Sequence, residues 1–203
     1  MPDLDPAVGM HDNCRRQPQY GAIHVTALEG WENFYVIVGS SAGGLTGLTF
    51  VVIALAGDAN RIRPAAIGAF VTPTIVHFGT VLALAAFLTM PHQGVLSLSV
   101  GLAVAGLAGL AYVSFIASSI RTTPEYAPVL EDWIWNVILP TVAYVGFVVV
   151  AAVLWKRPAQ ALYLVATLAL VLLYIGIHNA WDIAVWMTLH KKDPPDSPPA
   201  NPG

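Results

Sequence analysis

The chain has 203 residues, of which 56% are hydrophobic and only 10% charged. Globular chains carry about 25% charge, so the composition excludes an ordinary water-exposed surface. The formal net charge of −3 gives no footprint for a nucleic-acid partner, and the single cysteine, Cys14, excludes an intrachain disulfide.

Residues 1–30 read as a polar arm, with Pro2, Pro6, Pro18 and the Arg15-Arg16 pair, and room for an interfacial helix over 23–28. The first 20 positions lack an apolar h-region. No cleavable signal peptide is expected, and the first span serves as an uncleaved one. His11 and Cys14 stand at metal-like spacing, but a lone pair in an irregular arm is read as chance.

Spans are predicted over 31–57, 64–90, 95–120, 133–155 and 160–189. Between Arg63 and Arg121 lie 57 residues without a charge; 33–57, 133–155 and 158–181 are also charge-free. A spanning helix needs about 20 apolar residues, and a charge at the bilayer centre costs at least about 2.5 kcal/mol, which accounts for the gaps. Breakers divide the spans: a polar loop over 58–63, a turn at Pro91, His92, Gln93 and Gly94, a loop over 121–132 with Pro124 and Pro128, and Lys156-Arg157-Pro158. Trp31, Trp133, Trp135, Trp155 and Trp186 fall near helix ends, as an aromatic belt does. Residues 190–203 are Pro-rich and expected to be disordered. The expectation is an all-α integral membrane protein, a compact bundle of five transmembrane helices with short loops.

Side A denotes the side of the N-terminal arm, and side B the opposite side. Side A carries Arg15, Arg16, Lys156 and Arg157; side B carries Arg61, Arg63, Arg121, Lys191 and Lys192. Arg15 and Arg16 lie near the limit of influence on insertion. Discounting them makes side B cytoplasmic, with the N-terminus outside the cell membrane and the C-terminus inside.

Gly39, Gly43 and Gly47 form a GxxxGxxxG stripe, and Gly101, Ala105 and Gly109 repeat the idea in the third span. Such residues let helices approach closely, within one bundle or between subunits of a homo-oligomer. Gly39-Ser40-Ser41-Ala42-Gly43 also matches GxSxG, but that motif needs a strand-to-helix turn, so packing explains it better. No P-loop, HExxH or CxxC element marks a nucleotide or zinc enzyme. Pro140 predicts a kink in the fourth span and shares a face with Asn136 and Tyr144. Pro73 predicts ordinary kink geometry in the second.

His77 and His178 lie well inside spans, each roughly 16–20 Å from side B at 1.5 Å per residue, so their depths allow them to meet. Tyr174, His178 and Asp182 fall at i, i+4 and i+8 on one helix face. Asn179 lies beside them, Asn136 sits near side B, Glu131 and Asp132 stand at the mouth, and Thr74, His77 and Thr80 line one face. On side A, Glu32 is the comparable acid. Intramembrane ionisable groups are functional by default, although a histidine there often only bonds a neighbouring helix.

Two functions fit. In the first, a homo-oligomeric channel or transporter moves protons or small cations, because an imidazole takes and releases protons near neutral pH and acids concentrate cations at a mouth. The relay residues are then His77, His178, Asp182, Tyr174, Asn136, Glu131, Asp132 and Glu32. In the second, His77 and His178 ligate a haem or a transition metal, with Asp182 as ligand or as the acceptor that orients His178. Lipid is the obligatory partner in both.

Overall fold

The computed structural model describes residues 28, 30–58, 72–122 and 130–189, with backbone alone for 56–58, 120–122, 132 and 186–189. Expectations for the N-terminal arm, for the loops around 59–71 and 123–129 and for the tail fall outside these residues. The described chain is helical, with no strand. Long apolar runs without charge have no means of satisfying their backbone in lipid except by helical hydrogen bonds.

Helix α1 covers Glu32–Asp58, α2 Thr72–Leu88, α3 Val95–Thr122 and α5 Pro158–Leu189. Between α3 and α5, α4 covers residues 130–153 in three parts: an α turn at Leu130–Trp133, a π-helical turn at Ile134–Ile138 and an α-helix over Leu139–Val153. Among the described residues, four stretches are long and apolar enough to cross a membrane: Glu32–Leu55, Val95–Ser119, Ile134–Val153 and Pro158–Val185. The described α2 has 17 residues, about 25 Å at 1.5 Å per residue, shorter than a hydrocarbon core of about 30 Å. The predicted start of that span, from residue 64, lies outside the described residues.

The helix ends follow from local chemistry. The Leu28 carbonyl accepts the Trp31 N–H at 3.0 Å, and Gly30 has φ 89°, the hand a type II turn requires at its third residue. Between α2 and α3, the Gln93 amide donates to the Phe87 carbonyl at 2.9 Å and accepts from the Ser97 hydroxyl at 2.6 Å. One side chain thus clasps the last turn of α2 to the first of α3. Pro158 occupies the first position of α5, where its missing N–H has no helical partner to lose.

Helix α1 packs chiefly on α2, and α3 chiefly on α4. Helix α5 lies against α2 and α4 and, less closely, α1, joining the two pairs. The contact between α2 and α3 is slight although a tight turn connects them. The buried core runs through Tyr35, Val81, Leu84, Phe147, Val150, Val165, Leu172 and Ile175. The outside is also apolar: Ile37 is 66% exposed, and Leu55, Leu96, Phe115 and Val142 are similarly bare. In water so large an apolar surface would associate; facing hydrocarbon it has no such cost.

Glycines set how close the helices come. A Cβ on Gly39 would stand 2.8 Å from the Ala85 Cβ, and one on Gly43 3.8 Å from Leu82, whereas Gly47 has open space. The predicted stripe therefore serves the α1–α2 contact at its first residue and loses it by its third. In α3, Gly106 and Gly109 face α4: a Gly106 Cβ would lie 2.8 Å from the Tyr144 carbonyl, and a Gly109 Cβ would fall on the Tyr144 ring, while a Gly101 Cβ would fall on the Phe87 ring of α2.

Pro140 takes a form different from the expected one. Pro140 has no N–H, so α4 is one donor short just before it. The helix widens there, with the Leu139 N–H reaching back five residues to the Ile134 carbonyl. The disturbance is a π turn, which holds one extra residue in the helix. Pro73 is the second described residue of α2, and the residues before it, which bear on the expected kink, lie outside the described ones.

Candidate functional site

His77 is 1% exposed, deep between α2 and α4. Its Nδ1 lies 3.0 Å from the Tyr144 hydroxyl, which lies 3.4 Å from Thr80 Oγ1. The Thr80 hydroxyl donates to the Val76 carbonyl at 2.8 Å, so toward Tyr144 it acts as an acceptor. Tyr144 has one proton for two neighbours. If it donates to His77 Nδ1, the imidazole proton sits on Nε2; if it donates to Thr80, Nδ1 carries the proton and Nε2 is a bare lone pair. In both arrangements His77 Nε2 is buried without a hydrogen-bond partner among the described residues. Such a group costs about 1–3 kcal/mol, and the two arrangements differ in which ring nitrogen carries the proton, so passage between them requires a proton acceptor at Nε2.

The second cluster lies nearer side B. The π turn presents Trp135 to α5, where its indole stacks on the His178 ring at 3.6 Å and 9°. Asp182 Oδ2 is 3.2 Å from His178 Nδ1, within ion-pair reach but without the alignment of a hydrogen bond. Beside this pair the Asn179 amide donates to Asn136 Oδ1 at 3.3 Å. Tyr174 tilts against Trp135 at 5.8 Å.

The expected residues thus separate into groups. His77 stands with Tyr144 and Thr80, and His178 with Asp182, Trp135 and Tyr174. No hydrogen bond or ring contact joins the two histidines. Tyr174 is 61% exposed and the Asp182 side chain 59%, so the 174, 178, 182 stripe faces outward at both ends. The buried face of α5 carries Leu168, Leu172, Ile175 and Asn179 instead. Glu131 is exposed at the start of α4, and Glu32 is exposed at the start of α1, on the opposite side; the Asp132 side chain lies outside the description. Among the described residues no group of three or more His, Cys, Asp or Glu is placed to hold a metal ion.

The sequence reading gave Tyr144 no role beyond a shared face with Asn136, and it read Trp135 as a belt residue. The signal for Tyr144 was present in Gly106 and Gly109 of α3, which form a flat floor with no partner assigned. Trp135 gave no such signal, because the π turn rotates it out of α-helical phase. Comparisons with protein families, with characterised proteins and with solved structures return no match to this chain.

Proposed function

We propose that this chain is a five-span membrane protein that moves protons or small cations as a homo-oligomer, with the N-terminus outside the cell membrane and the C-terminus in the cytoplasm. One observation carries the reading: polar side chains step inward from an exposed carboxylate to a buried, half-satisfied histidine. Asp182 and His178 lie outermost, the Asn179–Asn136 pair beside them, and Tyr144, His77 and Thr80 innermost. Eight residues of α4 separate Asn136 from Tyr144, about 12 Å of helix, so water must bridge that interval beside Pro140. Toward side A the way is filled by Val81, Leu84, Leu88 and Phe147. Passage therefore depends on a change of state at His77 and not on a standing pore. An imidazole with two tautomers suits that task.

The test is flux into proteoliposomes under an imposed gradient. Wild-type protein conducts, His77→Ala abolishes flux, and Ser41→Ala, whose hydroxyl only bonds the Ile37 carbonyl, leaves it intact. Inserted protein with no flux under any gradient overturns the reading.

A second reading, an intramembrane haem or transition-metal site, draws on a different observation. Each histidine has its Nδ1 beside an oxygen, Tyr144 Oη or Asp182 Oδ2. That is how ligating imidazoles are oriented when Nε2 faces the metal. Protein purified in mild detergent would then carry a Soret band or a stoichiometric metal, lost in His77→Ala and His178→Ala. A colourless, metal-free preparation removes this reading.

A further inference from the structure

The slight contact between α2 and α3 leaves a groove of about 390 Å³ between them. One wall runs from Val76 to Phe87 on α2, and the other from Gly101 to Tyr112 on α3. Each covers about 17 Å of helix. A volume of about 390 Å³ along that length is a narrow trough, well short of the roughly 1,300 Å³ that a helix about 10 Å across occupies over about 17 Å. A single polymethylene chain, packed at the usual carbon–carbon contact of about 4 Å, can enter it.

The placement suits one source of such a chain. The two helices are antiparallel, joined by the turn at residues 89–94, so Phe87 and Gly101 lie toward side A and Val76 and Tyr112 toward the middle. The groove therefore runs down one leaflet, about half of a hydrocarbon core of roughly 30 Å. Its rims are Ala83, Val104 and Ala108, all exposed, with Val104 at 61%, so it opens sideways into the surroundings of the bundle. The Thr80 hydroxyl in its wall is already committed to the Val76 carbonyl and Tyr144. The Tyr112 hydroxyl at the inner end has no hydrogen-bond partner among the described residues; the remaining lining side chains are apolar and none is charged.

We propose that the groove between α2 and α3 seats one acyl chain of a phospholipid from the side-A leaflet. This rests on the membrane-spanning reading above. A chain so placed ends against Thr80, which in turn touches Tyr144, the partner of His77. The lipid forms part of the packing that holds the inner cluster.

The test uses phosphatidylcholine vesicles containing a phosphatidylcholine analogue with a diazirine at the acyl terminus. Photolysis should label the walls of α2 and α3, and excess unlabelled phosphatidylcholine should compete the label away. Filling the groove with Ala105→Phe, or with Ala108→Phe on its rim should the first variant not fold, should abolish that label. Labelling of the exposed face of α1 around Ile37 should be unchanged. Native mass spectrometry should find one phospholipid retained per wild-type chain and none in the filled variants. Uncompeted labelling of equal strength on α1 and in the groove overturns the proposal. So does a Val104→Cys crosslink between two copies, in a Cys14→Ser background, that the filling variants block, or an internal crosslink from the groove to residues 59–71. In those cases the protein remains in the bilayer. Release of the protein from vesicles by alkaline carbonate instead overturns the spanning reading, and the proposal with it.

Discussion

Two glycines on different helices should respond in opposite ways to the same added methyl group. Gly109 faces the Tyr144 ring with no room for a Cβ, whereas Gly47 meets nothing within 4 Å. Adding a methyl in a filled core costs about 1–3 kcal/mol. The lower end is not available here, because the obstacle is a fully buried ring backed by α5 and not the loose end of a side chain. At Gly47, alanine removes the entropic penalty of glycine in a helix and gains about 0.5–1 kcal/mol. With about 2–3 kcal/mol lost at Gly109, the two variants should differ by about 2.5–4 kcal/mol, roughly seventy- to several-hundred-fold in the unfolding equilibrium. Reversible unfolding in mixed micelles, titrated with a denaturing detergent and followed by tryptophan fluorescence, measures the difference. Sequence pattern alone ranks the pair the other way, since Gly47 closes the longer glycine stripe. If Gly47→Ala is as damaging as Gly109→Ala, the packing described for α3 and α4 is wrong.

Further predictions concern the two polar clusters. Tyr144→Phe keeps the ring and removes the hydroxyl, leaving His77 Nδ1 unsatisfied as well as Nε2; stability should fall by about 1–3 kcal/mol. Nitrogen NMR of labelled His77 should show Nδ1 losing the shift of a hydrogen-bonded nitrogen, and an unchanged spectrum would dismiss the Tyr144 contact. Pro140→Ala restores the missing N–H and should convert the π turn to α-helix, turning Trp135 by about 100° relative to Tyr144. The upfield ring-current shift of the His178 protons should then vanish, and its persistence would show that proline does not hold the π turn. Glu32→Gln, at an exposed helix start, should change stability by no more than about 0.5 kcal/mol in the same micelle assay.

The helices were legible in the sequence because one physical rule writes them: charge is costly in hydrocarbon, so the gaps between charges mark the apolar runs of α1, α3, α4 and α5. Which helices pair was not legible. A glycine announces that something comes close but not what, and Gly106, absent from the predicted stripe, stands nearer to its neighbour than Gly43 does. The site was legible in part for a similar reason. Counting residues gives depth along a helix, so His77 and His178 could be placed at similar levels. It does not give azimuth. Asn179, one residue on from His178, takes the buried face of α5, while His178 turns aside to Trp135. The π turn adds to the difficulty, because periodicity read at 3.6 residues per turn loses phase by one residue across Ile134–Ile138.

The position of α5 bears on how the protein is made. It leaves the ribosome after α1 to α4, yet it lies against α2 and α4 and touches α1. A nascent chain that has not reached Pro158 holds two helix pairs in the membrane, linked by the Gln93 clasp and by Tyr144 against His77 and Thr80. Lateral release of α5 converts these pairs into one bundle. The Asn179–Asn136 bond and the Trp135–His178 stack both involve α5, so neither exists until that moment. Assembly of the bundle is a closing step performed by α5, and chains arrested before it carry the inner histidine without the outer one.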